Sequence, residues 1–216
     1  MTQNPFGQNQ NQMQGQTHEN MHTGTVPPDM NHGGHELFDV HEVLSQSIAA
    51  MDQSTILRQH AKDPELIDIM DRQYRFMRQE YNTLVDCFKT GQDPQVPTQR
   101  YQMAGGNDFI YGMKQAQPKK PMMSPQEIDD AAISGFLLGS AKASATGKTA
   151  AALETTNPVV RRVLADSVPN CLEMAYELSI YQNKHHYYQV PQLADADMQA
   201  ILNAYAPAAG NQPGMQ

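Results

Sequence analysis

Asp63-Pro64 and Asn157-Pro158, 94 residues apart, constrain this chain more than any other feature. In each pair a good N-capping residue precedes a proline at the first helical position. There the missing N–H would be unpaired in any case, and the fixed φ already suits a helix. Behind each pair runs a stripe of residues at alternating spacings of four and three, the period of one helical face. After Asp63 the stripe is Met70, Tyr74, Met77, Tyr81, Leu84 and Phe88; Gly91 stops it, with Pro94 and Pro97 beyond. After Asn157 it is Val160, Leu164, Ser167, Cys171, Met174, Leu178, Tyr181, His185 and Tyr188. Pro169 falls inside this second run and predicts a kink rather than a stop.

Each of these helices has a partner before it. Leu37, His41, Leu44, Ile48, Met51 and Thr55 mark a first helix in the same rhythm. Ser124, Pro125 and Glu127 form a capping-box signature for a third, whose face reads Ile128, Ala131 or Ala132, Gly135, Leu138, Lys142 and Ala145. Its many small residues favour close approach of a neighbouring helix. Short links near 61–63 and 154–157 make two hairpins, joined by residues 91–123, which hold four prolines, four glycines and no sustained period. A helix of ~27 residues is ~40 Å long, and a connection returning along it needs at least ~12 extended residues. The fold expected is all-α: a ferritin-like four-helix bundle with one long crossover between its hairpins. The domain is expected over 35–193 with the crossover at 91–123, and 194–216 as a loose C-terminal arm.

Residues 1–34 contain no Lys or Arg and are dominated by Gln, Asn, Gly, Met and His. Such a segment buries too little apolar surface to offset the entropy of ordering it, so it is expected to be a disordered tail. HENMH at 18–22 fits the zinc-peptidase pattern, in which histidines at i and i+4 of a helix hold the metal and the glutamate activates its water. His18 and His22 have no amphipathic run on either side, so the match is read as fortuitous. The N-terminus has neither a basic residue nor an apolar core, and no signal peptide is expected.

Composition narrows the function classes. A hydrophobic content of 39% and a mean hydropathy of -0.60 are low for a chain packed throughout. The net charge is -8 with basic residues scattered, which argues against nucleic acid as a partner. The longest uncharged apolar stretch, 131–141, is about half the ~20 residues a membrane span needs. Two cysteines, Cys87 and Cys171, make no disulfide framework and suggest a reducing site of synthesis.

A ferritin-like bundle invites a search for a di-metal centre, which takes a Glu from each of two helices and a Glu-x-x-His from each of the others. Three residues after Glu65, Glu80, Glu173 and Glu177 stand Asp68, Thr83, Tyr176 and Ile180, so the pattern is missing. The bundle interior is expected to hold Met, Tyr, Leu, Cys and small residues instead of carboxylates. His41 is read as a core or boundary histidine, Lys142 as a seam lysine that snorkels or pairs, and His185 and His186 as cations suited to a helix C-terminus. SATGKTA at 144–150 ends like a P-loop, but Lys142 stands where the first glycine is required. It is read as a frayed or bent end of the third helix. Cys171 is expected to be inert packing. No catalytic, cofactor-binding or metal-ligating residue is assigned.

The stretch IDDAAISGFLLGSAKASATGKTAAALETTNPVVRRVL and the later ELSIYQNKHHYYQVPQL, within 124–193, resemble the Coat F family of spore coat protein F-like proteins from Bacillus-type spore formers. A weaker likeness covers 36–90, and His186 stands in a turn where relatives are expected to carry glycine. The resemblance implies a helical, ferritin-like domain, a sporulation role and a place in or under the spore coat; it brings no catalytic residues. The expected function is therefore a non-enzymatic coat component. Its partners are other coat proteins, and a homo-oligomer is left open. The arm's glutamines and the crossover's Lys119 and Lys120 are candidate sites of isopeptide cross-linking. Two alternatives stand beside it. One is metal binding by His18, His22, His32 and His35 with Met13, Met21 and Met30. The other is a redox protein with a degenerate ferritin-like centre.

Overall fold

The computed structural model describes residues 32–208, so HENMH and the bulk of the expected tail lie outside the described residues. Four long helices are formed: α1 (Gly34–Arg58), α2 (Pro64–Thr90), α3 (Asp130–Glu154) and α4 (Pro158–Lys184). The two proline-led starts are as expected. Asp63 accepts from Glu65 N–H and Asn157 accepts from the N–H groups of Val159 and Val160. Each such cap is worth about 1 kcal/mol. Gly91 closes α2 with φ 66, a left-handed conformation that glycine adopts without penalty.

Around the bundle the order is α1, α2, α4, α3, with every neighbouring pair antiparallel. Lys184 at the end of α4 bonds Glu65 at the start of α2, and Gly33 ahead of α1 bonds Thr156 just past α3. The chain therefore runs up, down, down, up, and the link from α2 to α3 must travel the length of the bundle. It does so as a strap along α4. Thr98 bonds Asp166, Tyr101 N–H bonds Asn170, Ala104 N–H bonds Glu177, Ile110 N–H bonds Asn183, and Tyr111 bridges to Val190. The crossover is thus fixed along α4 by that helix's own Asp166, Asn170, Glu177 and Asn183 side chains, with a backbone bridge to Val190 beyond its end.

Several expectations need correction. The third helix does not begin at Ser124, which makes no side-chain cap; Pro125–Glu127 is one 3-10 turn, and Asp129 caps α3 through Ala132 N–H. Asp130 then accepts the backbone N–H groups of Lys62 and Asp63, pinning the start of α3 to the α1–α2 link. The core face of α1 is not the Leu37 stripe but Glu36, Val40, Val43, Ala50, Ser54 and Leu57. Leu37 and Ile48 are exposed, and the small Ala50 and Ser54 are buried in their place. In α2 Met70 and Leu84 of the expected stripe are buried and Tyr74, Met77, Tyr81 and Phe88 are half-buried, but the core face also takes in Leu66, Gln73, Glu80 and Cys87, seven apart and one position off the aromatic residues. α3 runs unbroken through Gly147-Lys148-Thr149, so this segment is neither frayed nor a P-loop. Within the expected loose arm, Asp195–Leu202 forms a fifth helix, α5, with no buried residue.

Two apolar clusters fill the bundle ends. Val40, Val43, Leu84, Val160 and Leu164 belong to one; Leu66, Ile69, Ile133, Leu178 and Tyr181 belong to the other. A fully buried side chain such as Leu66 or Leu178 contributes about 1.5–3 kcal/mol. Between these clusters lies a polar layer.

Candidate functional site

The polar layer is assembled by three helices and the strap. Glu80 comes from α2, Lys148 from α3, and Ser167, Asn170 and Cys171 from α4; all are buried. Lys148 Nζ donates to Glu80 Oε2 at 2.6 Å and lies 3.5 Å from Cys171 Sγ. Asn170 Nδ2 donates to Glu80 Oε1 at 2.8 Å, so one carboxylate holds the amine and the carboxamide together. Asn170 Oδ1 accepts from Tyr101 N–H at 2.9 Å, and Nδ2 also reaches Gln99 O. Burial opposes the charge on Lys148, but the Glu80 carboxylate and the Cys171 sulfur outweigh it and keep the ammonium proton well above the usual lysine range. Burial pushes the Cys171 thiol up, with Lys148 opposing. Beside this cluster is a cavity of about 40 Å³ touching Ser47, Ser144, Lys148, Ser167 and Cys171. At ~10–15 Å³ per water position it has room for only small molecules.

Two turns further along α4, Glu177 anchors a second network. Arg72 Nη2 and Ala104 N–H bond its Oε1, while Gln73 Nε2 and the Tyr101 hydroxyl bond its Oε2, the last at 2.5 Å. Arg72 also donates to the Tyr101 oxygen. Burial and the bond to Glu177 push the Tyr101 hydroxyl above the ordinary phenol range. A third buried carboxylate, Glu36 from α1, accepts from Thr156 N–H, Thr156 Oγ1 and Asn157 N–H, each at 2.9 Å, with His32 Nδ1 on its other oxygen at 2.7 Å. It closes the N-terminus of α4, where a negative charge is favoured.

The interior is therefore not the carboxylate-poor one expected from sequence. Glu36, Glu80 and Glu177 are all inside, each bonded to donors of its own chain. Among the described residues no group of three or more His, Cys, Asp or Glu side chains could hold a metal ion. His41 is exposed rather than at a core boundary. Lys142 is exposed too, 5.7 Å above the Tyr188 ring, and Lys148 is the lysine that enters the bundle. His185 is the residue after α4, 3.3 Å from Asp63, and His186 follows with φ 59. His32, read as part of the tail, packs on Phe88 and pairs with Glu36, while His35 is exposed. Glu80, Asn170 and Glu177 were missed although a signal existed. Leu66, Gln73, Glu80 and Cys87 recur every seven residues on α2, as do Asn170 and Glu177 on α4.

The Coat F domain matches residues 129–191, which span α3, α4 and the turn after them. The chain is 50% identical over 184 residues to the spore coat protein F-like protein YhcQ of Bacillus subtilis (strain 168), covering 85% of each protein. The chain belongs to the Coat F family. With that membership comes the spore coat location the resemblance implied. The matched region carries Lys148, Asn170, Cys171 and Glu177, whereas Glu80, Arg72 and Tyr101 lie outside it. No solved structure matches the chain. Among the described residues no helix is long and apolar enough to cross a membrane.

Proposed function

We propose that this Coat F protein is a non-catalytic assembly component of the spore coat, built on a ferritin-like bundle. The carrying observation is that each buried carboxylate is committed to groups of its own chain. Glu36 holds α1 to α4, Glu80 holds α2 to α3 and α4, and Glu177 holds α2, α4 and the strap. These contacts act as internal ties. The up-down-down-up order with a single long crossover supports the ferritin-like reading. The domain is read as 35–193, with 1–34 as the tail and 194–216 as the arm.

Coat assembly then falls to surfaces outside the core. The glutamines of the tail and the exposed Lys119 and Lys120 of the strap are the proposed handles for cross-links to other coat proteins. A fluorescent fusion followed through sporulation, with spores fractionated into coat and core, tests the role. Signal retained in the insoluble coat, together with cross-linked tail or strap peptides on mapping, is the expected result. Soluble protein in the spore core would overturn the assembly role, and coats yielding only unmodified tail and strap peptides would remove the cross-linking part.

A further inference from the structure

Lys148 is the one buried lysine among the described residues. Its amine shares the Glu80 carboxylate with the Asn170 carboxamide, at 2.6 Å on one oxygen and 2.8 Å on the other. We infer that Lys148 and Asn170 form an intramolecular isopeptide bond, with Glu80 as the acid–base group, tying α3 to α4 covalently.

The site supplies the three parts that acyl transfer needs. The nucleophile is a primary amine on a flexible four-carbon stem, held at the carboxylate that also binds its target. The acid–base group is Glu80, hydrogen-bonded both to the attacking nitrogen and to the departing one. The electrophile is polarised by Tyr101 N–H, which donates to Asn170 Oδ1 at 2.9 Å, where negative charge develops during attack. Asn170 is further fixed by Gln99 O and by Asp166 O one turn back in α4. Lys148, Glu80 and Asn170 are 7%, 8% and 2% exposed, and the charged pair gains by becoming neutral.

The step balances without an outside reagent. The Lys148 ammonium gives one proton to Glu80, and the free amine attacks Asn170 Cγ. The tetrahedral intermediate collapses with loss of Nδ2, which leaves as ammonia after taking a proton that originated on the amine. A new Nζ–Cγ amide replaces the carboxamide C–N bond, and Glu80 remains protonated beside it. No oxidant, metal or cofactor enters the stoichiometry.

The test is the intact mass of full-length purified protein, before and after prolonged incubation, followed by tryptic mapping. The expected result is a deficit of one ammonia, no cleavage after Lys148, and a branched peptide joining the Lys148 segment to the segment running from Val163 to Lys184. Mapping separates this from a cyclised asparagine elsewhere, which loses the same mass without joining two peptides. Asn170→Asp should lose one water instead, and Glu80→Gln should stay at its full sequence mass. Wild-type protein that remains at full sequence mass and is cut after Lys148 overturns the inference, leaving a buried ion pair only. Because that measurement needs no variant, it decides the matter even if Glu80→Gln does not fold. It is made on isolated protein, so its outcome is independent of where the protein lies in the spore.

Discussion

Glu36, in the first turn of α1, accepts the backbone N–H of Asn157, the N-cap of α4, at 2.9 Å. The residues are 121 apart, yet this carboxylate finishes a helix end that α4 cannot finish alone. Burial by itself would raise the Glu36 pKa. The hydrogen bonds from Asn157, His32 and Thr156 outweigh burial and hold it below the ordinary 4.5. A carboxylate depressed on folding contributes stability that is present above its unfolded pKa and lost as pH falls through the folded value. Glu36→Ala should therefore cost about 2–4 kcal/mol near neutrality, since two backbone donors and a hydroxyl lose their acceptor. Urea titrations of wild type and variant at several pH values should converge below about pH 4.5. A constant gap down to strong acid would refute this role.

The strap depends on Tyr101, whose hydroxyl bonds both Glu177 and Arg72 and whose ring packs edge-on against Phe76 at 5.3 Å. Tyr101→Phe keeps the ring and deletes the bonds. The expected cost is about 1.5–3 kcal/mol, as for a hydrogen bond to a charged acceptor. Hydrogen exchange should quicken first at the amides of Tyr101, Ala104 and Ile110, whose acceptors lie on α4, and least within α3. Acceleration spread evenly over all helices would show that the strap has no separate stability.

Both thiols should be silent in the folded protein. Cys87 is fully buried, and desolvation, with help from Asp86, pushes it up to about 12; Cys171 is raised as well. Against an ordinary thiol near 8.5, a value near 12 lowers the thiolate fraction at pH 8 by about a thousandfold. Iodoacetamide should label neither cysteine at pH 8 without denaturant and both in urea, read by mass. Rapid labelling of Cys171 in native protein would mean that the cavity beside Lys148 opens to reagent.

The two proline-led helix starts were legible because capping is local: Asp63, Asn157 and the following prolines carry the signal within three residues. The faces were less legible. On α1 the apolar Leu37 and Ile48 point outward, while Glu36 and Ser54 face inward, because what decides burial there is a helix end 121 residues away and the closeness of neighbouring helices. The polar layer suffered similarly. Glu80 and Lys148 are 68 residues apart, and each looks like a surface residue until the other is placed against it. The strap had no periodicity to read, since its order comes from donors and acceptors on α4 rather than from its own pattern. The heptad of Leu66, Gln73, Glu80 and Cys87 was the available clue, masked by the aromatic stripe beside it.

The turn after α4 holds its strain in the backbone. His186, at the position where relatives are expected to carry glycine, sits at φ 59, the left-handed region in which a Cβ is penalised. Its side chain makes one exposed contact, with Lys114 Nζ at 2.9 Å, too solvated to repay much of that cost. His186→Gly should therefore stabilise the protein by about 0.5–1 kcal/mol, the left-handed penalty of roughly 1–2 kcal/mol being partly offset by the added freedom of glycine in the unfolded chain. Thermal melts at pH 8 would show the rise in Tm, and His186→Ala, which loses the contact but keeps the Cβ, should show none. A lower Tm for the glycine variant would mean that the Lys114 contact, rather than backbone strain, governs this turn.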